Sequence, residues 1–388
     1  VATVSLWQRP SRVEADVAIV GGGVIGTATA WALRRLAPDL RVVILEAERL
    51  AHGASGRNAG FLLLGTASDY ASAVDRYGRD AARRLWAFTA EAFRLAAEVG
   101  EAEDVGFAHT GSVLATSSDA ESERLRRSHA LLAEDGVQTA FLEGDEADRQ
   151  IGGTGFRSAL VVPEGGALDP ARLVRALARL SDAEVLATWR GTYVETDGDR
   201  VRLGAEGGGE AVADRVLIAT NAYLPQLLPA LADVVRPVRA QMLATAPAPP
   251  TLAAPVYSHE GYFYVRQRAD GRVLLGGARH LHRDAEVGYA DATTGALQAS
   301  LAGYLAAHFP SLADVPVERR WSGTMGFSPD GLPVLGAVPD VPGAQFAAGF
   351  TGHGMGYALR FGVLAARALL GESDDALDLF HAGRLMSG

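Results

Sequence analysis

The chain has 388 residues, 48% of them hydrophobic, and a formal net charge of −10. That length predicts two domains, or one large domain with an insertion, and the acidic balance, with no basic stripe, argues against nucleic acid as a partner. Cysteine is absent and all 36 basic residues are arginine, which excludes disulfides, thiolate metal sites and lysine chemistry.

The opening VATVSLWQRPSRVEAD lacks the layout of a signal peptide. No apolar run reaches the roughly 18 residues of a membrane-spanning helix, so a cytoplasmic protein without a membrane span is expected. Next comes ADVAIVGGGVIGTATAWAL, Ala15 to Leu33, which reads as a buried strand (Val17 to Val20), a glycine turn and a helix. Gly21, Gly23 and Gly26, with Val24 and Ile25 between them, have the GxGxxG spacing that lets backbone approach a pyrophosphate at a helix start. A second apolar strand, RVVILEAE, ends in Glu46, 20 residues after Gly26, where a carboxylate meets a ribose diol. With strand, turn, helix, strand and acid all in order, a dinucleotide site is expected here.

LAHGASGRNAGFLLLG, Leu50 to Gly65, is a glycine-rich loop in which Ser55, Arg57 and Asn58 offer hydrogen-bond donors to a ligand. Asp80 to Glu103 has helical apolar spacing, Gly106 to Ser118 reads as a strand, and Asp119 to Glu134 as a polar helix. Phe141 to Gln150 resembles a short strand running into a capped turn. GGALDPARLVRALARL places Asp169 as N-cap and Pro170 at the first position of a helix that buries Leu173, Leu177 and Leu180. Strands follow at Ala183 to Thr188 and near Arg200 to Leu203, and RVLIATNAYLPQLLP opens with an apolar strand that returns to a parallel sheet.

From Arg236 the residues alternate, and an Asp270-Gly271 turn marks an antiparallel hairpin. Alternation sets Tyr262, Tyr264 and Arg266 on one face and Phe263 and Val265 on the other, in a cluster that includes Arg268, Arg279 and His280. Such a face is either solvated or part of a site. After a helix from Thr293 to His308, a last strand leads into Gly349, Gly352, Gly354 and Gly356 at the start of another helix. That crowding means tight packing, or a helix N-terminus aimed at negative charge on a bound ring. The fold expected is α/β: a discontinuous Rossmann-like dinucleotide domain (13–84, 150–228 and 321–388) carrying an α+β substrate domain with an antiparallel sheet (85–149 and 229–320).

With these residues in order, the chain resembles the FAD-dependent oxidoreductases of the D-amino-acid oxidase type, a group that includes glycine oxidase, monomeric sarcosine oxidase, D-amino-acid dehydrogenase and γ-glutamylputrescine oxidase. The likeness runs through VAIVGGGVIG, GASGRNAG, GALDPARLV, LIATNAY, RPVRAQML, DGRVLLGGAR, WSGTMGFSPDGLPVLG and GFTGHGMGYA. It implies an FAD-binding Rossmann-like domain and an antiparallel sheet roofing the flavin. By position, Gly21, Gly23 and Gly26 hold the pyrophosphate and Glu46 the ribose. Ser55, Arg57, Asn58 and Ala59 thread past the flavin, and Gly352, His353, Gly354 and Met355 sit at its pyrimidine end. Val24, Ile25, Ala47, Gly56, Gly60, Thr220, Asn221 and Gly323 complete the expected cofactor shell. Relatives with a histidyl linkage carry His where this chain has Arg57, and a cysteinyl linkage needs an absent Cys, so noncovalent FAD is expected, with His52 a remote alternative.

The implied reaction is oxidation of the C–N bond of an amine or amino acid by hydride transfer to flavin N5. The resulting imine hydrolyses, and O2, with H2O2 formed, or another acceptor reoxidises the flavin. Tyr262, Tyr264, Arg266, Gln267, Met325 and His353 are the expected substrate-side residues. Amino-acid-oxidising relatives carry a carboxylate-clamping Arg where this chain has Met325. A simple small α-amino acid is therefore disfavoured, unless Arg266 or Arg279 supplies the anchor. The oxygen-activating Lys of monomeric sarcosine oxidase is also missing, which leaves oxidase and dehydrogenase both open. A 2-hydroxy-acid or polyol-phosphate dehydrogenase is the alternative, with His259, His280 or His353 as base; so is a flavoprotein subunit of an electron-transfer assembly. A monomer or homodimer is expected.

Overall fold

The computed structural model describes residues 12–385, so most of the opening stretch read for a targeting signal lies outside the described residues. The strand Arg12–Val20 buries Val17 to Val20 because it is sandwiched in the sheet, paired in parallel with Val42–Leu45 on one side and Glu210–Ile218 on the other. Glu184–Leu186 adds in parallel outside Val42–Leu45, and Ala344–Ala348 outside Glu210–Ile218. Near-continuous apolar runs are what strands covered on both faces require. The antiparallel strands Gly191–Asp197, Arg200–Ala205 and Val334–Ala337 extend this core to an eight-stranded sheet.

Helices Val24–Leu36, Pro170–Ser181 and Gly354–Leu370 share one core with this sheet, together with Arg79–Ala102. Asp169 caps Pro170–Ser181, its carboxylate accepting the Ala171 and Arg172 N–H groups at 3.0 Å. Val24–Leu36 and Gly354–Leu370 meet at near-backbone distance: a Cβ on Gly362 would lie 2.6 Å from the Cβ of Ala28. That contact fixes two helix starts side by side at the carboxyl ends of parallel strands.

A second eight-stranded sheet runs Val317–Phe327, Arg236–Pro247, Arg272–Gly277, Phe263–Gln267, Val256–Ser258, Ser112–Thr116, Ser158–Val162 and Ala140–Glu143. Its pairs are antiparallel except Val256–Ser258 with Ser112–Thr116. One face packs on the helix Gly295–His308 through Leu243, Val265, Leu275, Leu297 and Leu301. The other face carries Met242, Tyr264 and Met325 over a cavity against the parallel sheet.

The expected segment boundaries at 150 and 321 do not follow sheet membership. Ser158–Val162 pairs with Ser112–Thr116 and Ala140–Glu143, and Val317–Phe327 pairs along its length with Arg236–Pro247. An apolar run does not state which sheet it joins. Where a capped turn was expected before Gln150, the chain forms the helix Asp145–Ile151, whose Ala147 and Ile151 are buried in the roof core. Among the described residues no helix is long and apolar enough to cross a membrane.

Candidate active site

The glycine turn is shaped by its own backbone. Gly21 has φ +114°, a region closed to other residues without strain, and its N–H donates to the Leu45 carbonyl at 2.8 Å. A Cβ on Gly26 would stand 2.0 Å from the Gly21 carbonyl oxygen, and one on Gly23 2.9 Å from Ser55 Oγ. Ser55 Oγ also accepts the Val24 N–H at 2.9 Å, which ties the GASGRNAG loop to the first helix. Glu46 accepts the Gly22 N–H at 2.7 Å and the Glu48 N–H at 2.8 Å, one on each carboxylate oxygen. A carboxylate has about four acceptor positions, so this one is oriented yet still able to receive hydroxyls.

These residues open on a cavity of about 600 Å³, which Gly21, Gly23, Val24, Ile25, Glu46, Ala47, Ser55, Asn58, Thr220, Asn221, Gly352, Gly354 and Met355 help to line. The Thr220 hydroxyl is buried beside it without a hydrogen-bond partner among the described residues, while Asn221 Oδ1 accepts the Gly349 N–H at 3.0 Å. Gly26 lies beneath the turn, and neither it nor Gly56 or Gly60 reaches the lining.

A second cavity, about 270 Å³, adjoins the first and shares Ala54, Asn58, Met325, Gly352 and Met355 with it. Arg57, Ala59, Gly323 and His353 line this one, beneath a roof of Tyr257, Tyr262, Tyr264 and Arg279. Tyr264 lies against Gly276, where a Cβ would meet its ring at 2.3 Å, and stands 6.2 Å from the ring of Tyr257. Burial pushes the Tyr257 hydroxyl up to about 12 and that of Tyr264 further still, so both are neutral hydrogen-bonding groups. Burial likewise pulls His353 down to about 4, against the opposing pull of the Leu63 backbone. An imidazole neutral at physiological pH adds no positive charge, which leaves the backbone start of Gly354–Leu370 as the source of positive potential there.

Arg57 stitches the two layers together. Its guanidinium donates to the carbonyls of Ser322 at 2.9 Å and His52 at 3.0 Å and pairs with Asp291 at 2.8 Å. Its own carbonyl accepts from Trp321 Nε1 at 2.9 Å. The other expected substrate-side residues divide. Tyr262, Tyr264, Met325 and His353 come together in the second cavity, but Arg266 and Gln267 line neither cavity. Arg266 shares the face of Tyr264 yet lies beyond the cavity's end, where Nη2 donates to the Leu168 carbonyl at 2.8 Å and burial lowers its pKa to about 10. Gln267 closes the hairpin loop instead, donating to the Ala248, Pro249 and Gly271 carbonyls. Tyr257, Phe61, Met242 and Phe327 are lining residues that reading along the sequence missed. Tyr257 had a signal, since it sits directly opposite Tyr264 in the pairing of their strands.

A glycine-cradled cavity joined to a tyrosine-roofed pocket suits a dinucleotide cofactor beside a small substrate, and the chain belongs to the FAD dependent oxidoreductase family, whose profile matches residues 16–368. Among its relatives, the probable oxidoreductase OrdL of Rhizobium meliloti is 30% identical over 382 residues, 95% of this chain and 86% of that protein. The γ-glutamylputrescine oxidoreductase of Escherichia coli is 27% identical, over 93% of this chain and 85% of that one. The crystal structure of glycine oxidase from Geobacillus kaustophilus superposes with a TM-score of 0.82 at 24% identity, covering 97% of this chain and all of that one. An L-proline dehydrogenase from P. horikoshii superposes equally well, with a TM-score of 0.82 at 21% identity, over 97% and 98% of the two chains. The protein is thus an FAD-dependent oxidoreductase, and its residues fit that cofactor. The turn leaves no room for side chains where a pyrophosphate needs backbone, Glu46 is oriented with acceptor capacity to spare, and the Thr220 hydroxyl lacks a partner among the described residues.

Proposed function

We propose that the protein oxidises the C–N bond of an amine, with noncovalently held FAD. The carrying observation is that two cavities meet at the start of the helix Gly354–Leu370, one shaped by the glycine turn and the other by tyrosines. Bound FAD would supply a hydride acceptor, and Met325, Gly352 and Met355, which line both cavities, would hold its ring.

This chain's residues do the rest. Backbone N–H groups at the start of Gly354–Leu370 favour the negative charge that reduction places near them. Tyr257, Tyr264, Phe61, Met242 and Met325 exclude water from above. Tyr262, whose hydroxyl accepts from Arg283 at 3.0 Å, closes the outer side. Tyr257 and Tyr264 stay protonated, and burial leaves His353, with its pKa near 4, neutral and only a weak proton acceptor. A substrate that reacts as the neutral amine asks less of so weak an acceptor than an alcohol, whose hydroxyl proton needs a base.

The test is anaerobic titration of the purified flavoprotein with amines, amino acids and 2-hydroxy acids. Loss of flavin absorbance with an amine supports the reading, and loss with hydroxy acids alone overturns it. The rate of recovery on admitting air then separates oxidase from dehydrogenase.

A further inference from the structure

We propose that Arg279 is the anion anchor of the substrate cavity, so that the substrate is a carboxylate-bearing amine with an apolar, ring-sized body. The proposal rests on the amine-oxidising reading above and names what that site takes.

Arg279 follows the strand Arg272–Gly277, and Ala278, at φ +58°, turns the chain so that residue 279 enters the cavity lining. Its guanidinium carbon lies 4.9 Å from the ring centre of Phe327 and 6.0 Å from that of Tyr262. Among the described residues this guanidinium has no hydrogen-bond or ion-pair partner, whereas the other arginine of the cavity, Arg57, is paired with Asp291. Glu260, the single carboxylate in the lining, is engaged by Arg124. Among the described residues Arg279 is therefore the one uncompensated charge in the lining. Burial lowers its pKa, but the group remains a cation at neutral pH.

A partly desolvated cation without an anion is unfavourable unless a ligand brings one. A lone guanidinium offers two parallel N–H groups, the match of a carboxylate, whereas a phosphate dianion calls for several donors. The walls around it are Phe61, Tyr257, Tyr264, Phe327, Met242 and Met325, which suit an apolar ring and offer few polar contacts. Position supports the same reading. Phe327, two residues after Met325 on the same face of the roof, carries the Arg279 guanidinium against its ring.

The FAD-loaded protein should bind benzoate, read as a shift in the flavin absorbance spectrum, and should bind its neutral isostere benzamide at least about tenfold more weakly, the loss expected for one charge-assisted contact. Arg279→Met should weaken benzoate binding by a similar factor and leave benzamide unchanged; Arg279→Lys should restore part of it. Benzamide binding the unsubstituted protein as tightly as benzoate overturns the anchor, as does undiminished benzoate binding by Arg279→Met. The first comparison needs no variant and decides even if the substituted chain fails to fold. Phenyl phosphate binding more tightly than benzoate overturns the carboxylate assignment. The two readings fail separately: a flavin reduced by amines without selective benzoate binding removes only the anchor, and selective benzoate binding without reduction by any amine removes only the amine reaction.

Discussion

Gly26→Ala is the sharpest test of the glycine cradle. The new Cβ would stand 2.0 Å from the Gly21 carbonyl oxygen and 3.1 Å from Ile19 Cγ2, so the Gly21 peptide or the start of the helix must move by about 1 Å to restore contact distance. Overpacking of this kind costs about 3 kcal/mol at the upper end of its usual range. The higher helix propensity of alanine returns about 1 kcal/mol, for a net loss of about 2 kcal/mol. Gly303 is the control: it is exposed, it lies inside the helix Gly295–His308, and nothing is within 4 Å of its notional Cβ. There the same substitution should stabilise by up to about 1 kcal/mol. Urea unfolding of both apoproteins measures the difference, and flavin absorbance relative to protein measures retained FAD. Gly26→Ala should lose cofactor as well as stability, because the displaced peptide belongs to the cavity lining. Equal stabilities for the two variants, with full flavin in both, would refute the reasoning.

Met325→Arg should raise kcat/KM on glycine or D-alanine by adding a guanidinium at the edge of the shared cavity; no gain, together with ready turnover of those substrates by the unsubstituted enzyme, contradicts the role given to Met325. The buried pair of Arg239 with Glu286, 2.9 Å apart and joined by Gln241 at 2.7 Å, pins the segment that carries Asp291. Glu286→Ala leaves Arg239 uncompensated and should cost about 3–5 kcal/mol, whereas the double change Arg239→Met with Glu286→Leu should cost clearly less; equal unfolding midpoints for the two variants count against this account. His353 predicts acid lability in the apoprotein. Its folded pKa, near 4, lies below the unfolded value of about 6.5, so stability is full above about pH 6.5 and declines as pH falls toward 4. The decline is about 3 kcal/mol for this group. His353→Gln should flatten that part of the urea-midpoint profile between pH 4 and 7, and an unchanged slope would show that the imidazole titrates normally.

What could be read in advance followed the range of the forces involved. The capped helices Pro170–Ser181 and Asp119–Glu134 are set by neighbours a few residues away, and the glycine turn and Glu46 by a single strand–helix–strand unit, and all stand where the spacing put them. Ser158–Val162 joins the roof through Ser112–Thr116 and Ala140–Glu143, and Ser112–Thr116 is itself held there by Val256–Ser258, more than a hundred residues further along the chain, a choice its apolar composition does not encode. The site divides in the same way. Alternation along one strand identified Tyr262 and Tyr264 as sharing a face, but how far the cavity extends along it depends on the layer below, so Arg266 was indistinguishable from them. The ion pair of Arg57 with Asp291 and the partnerless state of Arg279 are facts about the whole assembly.

The strand order also sets a timetable for synthesis. Arg12–Val20 finds one neighbour almost at once in Val42–Leu45, but its other edge waits until Glu210–Ile218 has emerged from the ribosome, and that strand in turn waits for Ala344–Ala348. Until then the nascent chain carries an open, apolar sheet edge, the kind of surface that recruits the wrong partner. Because Gly352 to Met355 are made after the other lining segments, the cavity can take up its cofactor only once both sheets have been synthesised. A cell short of flavin would therefore meet the empty cavity only after the strands of both sheets have been made.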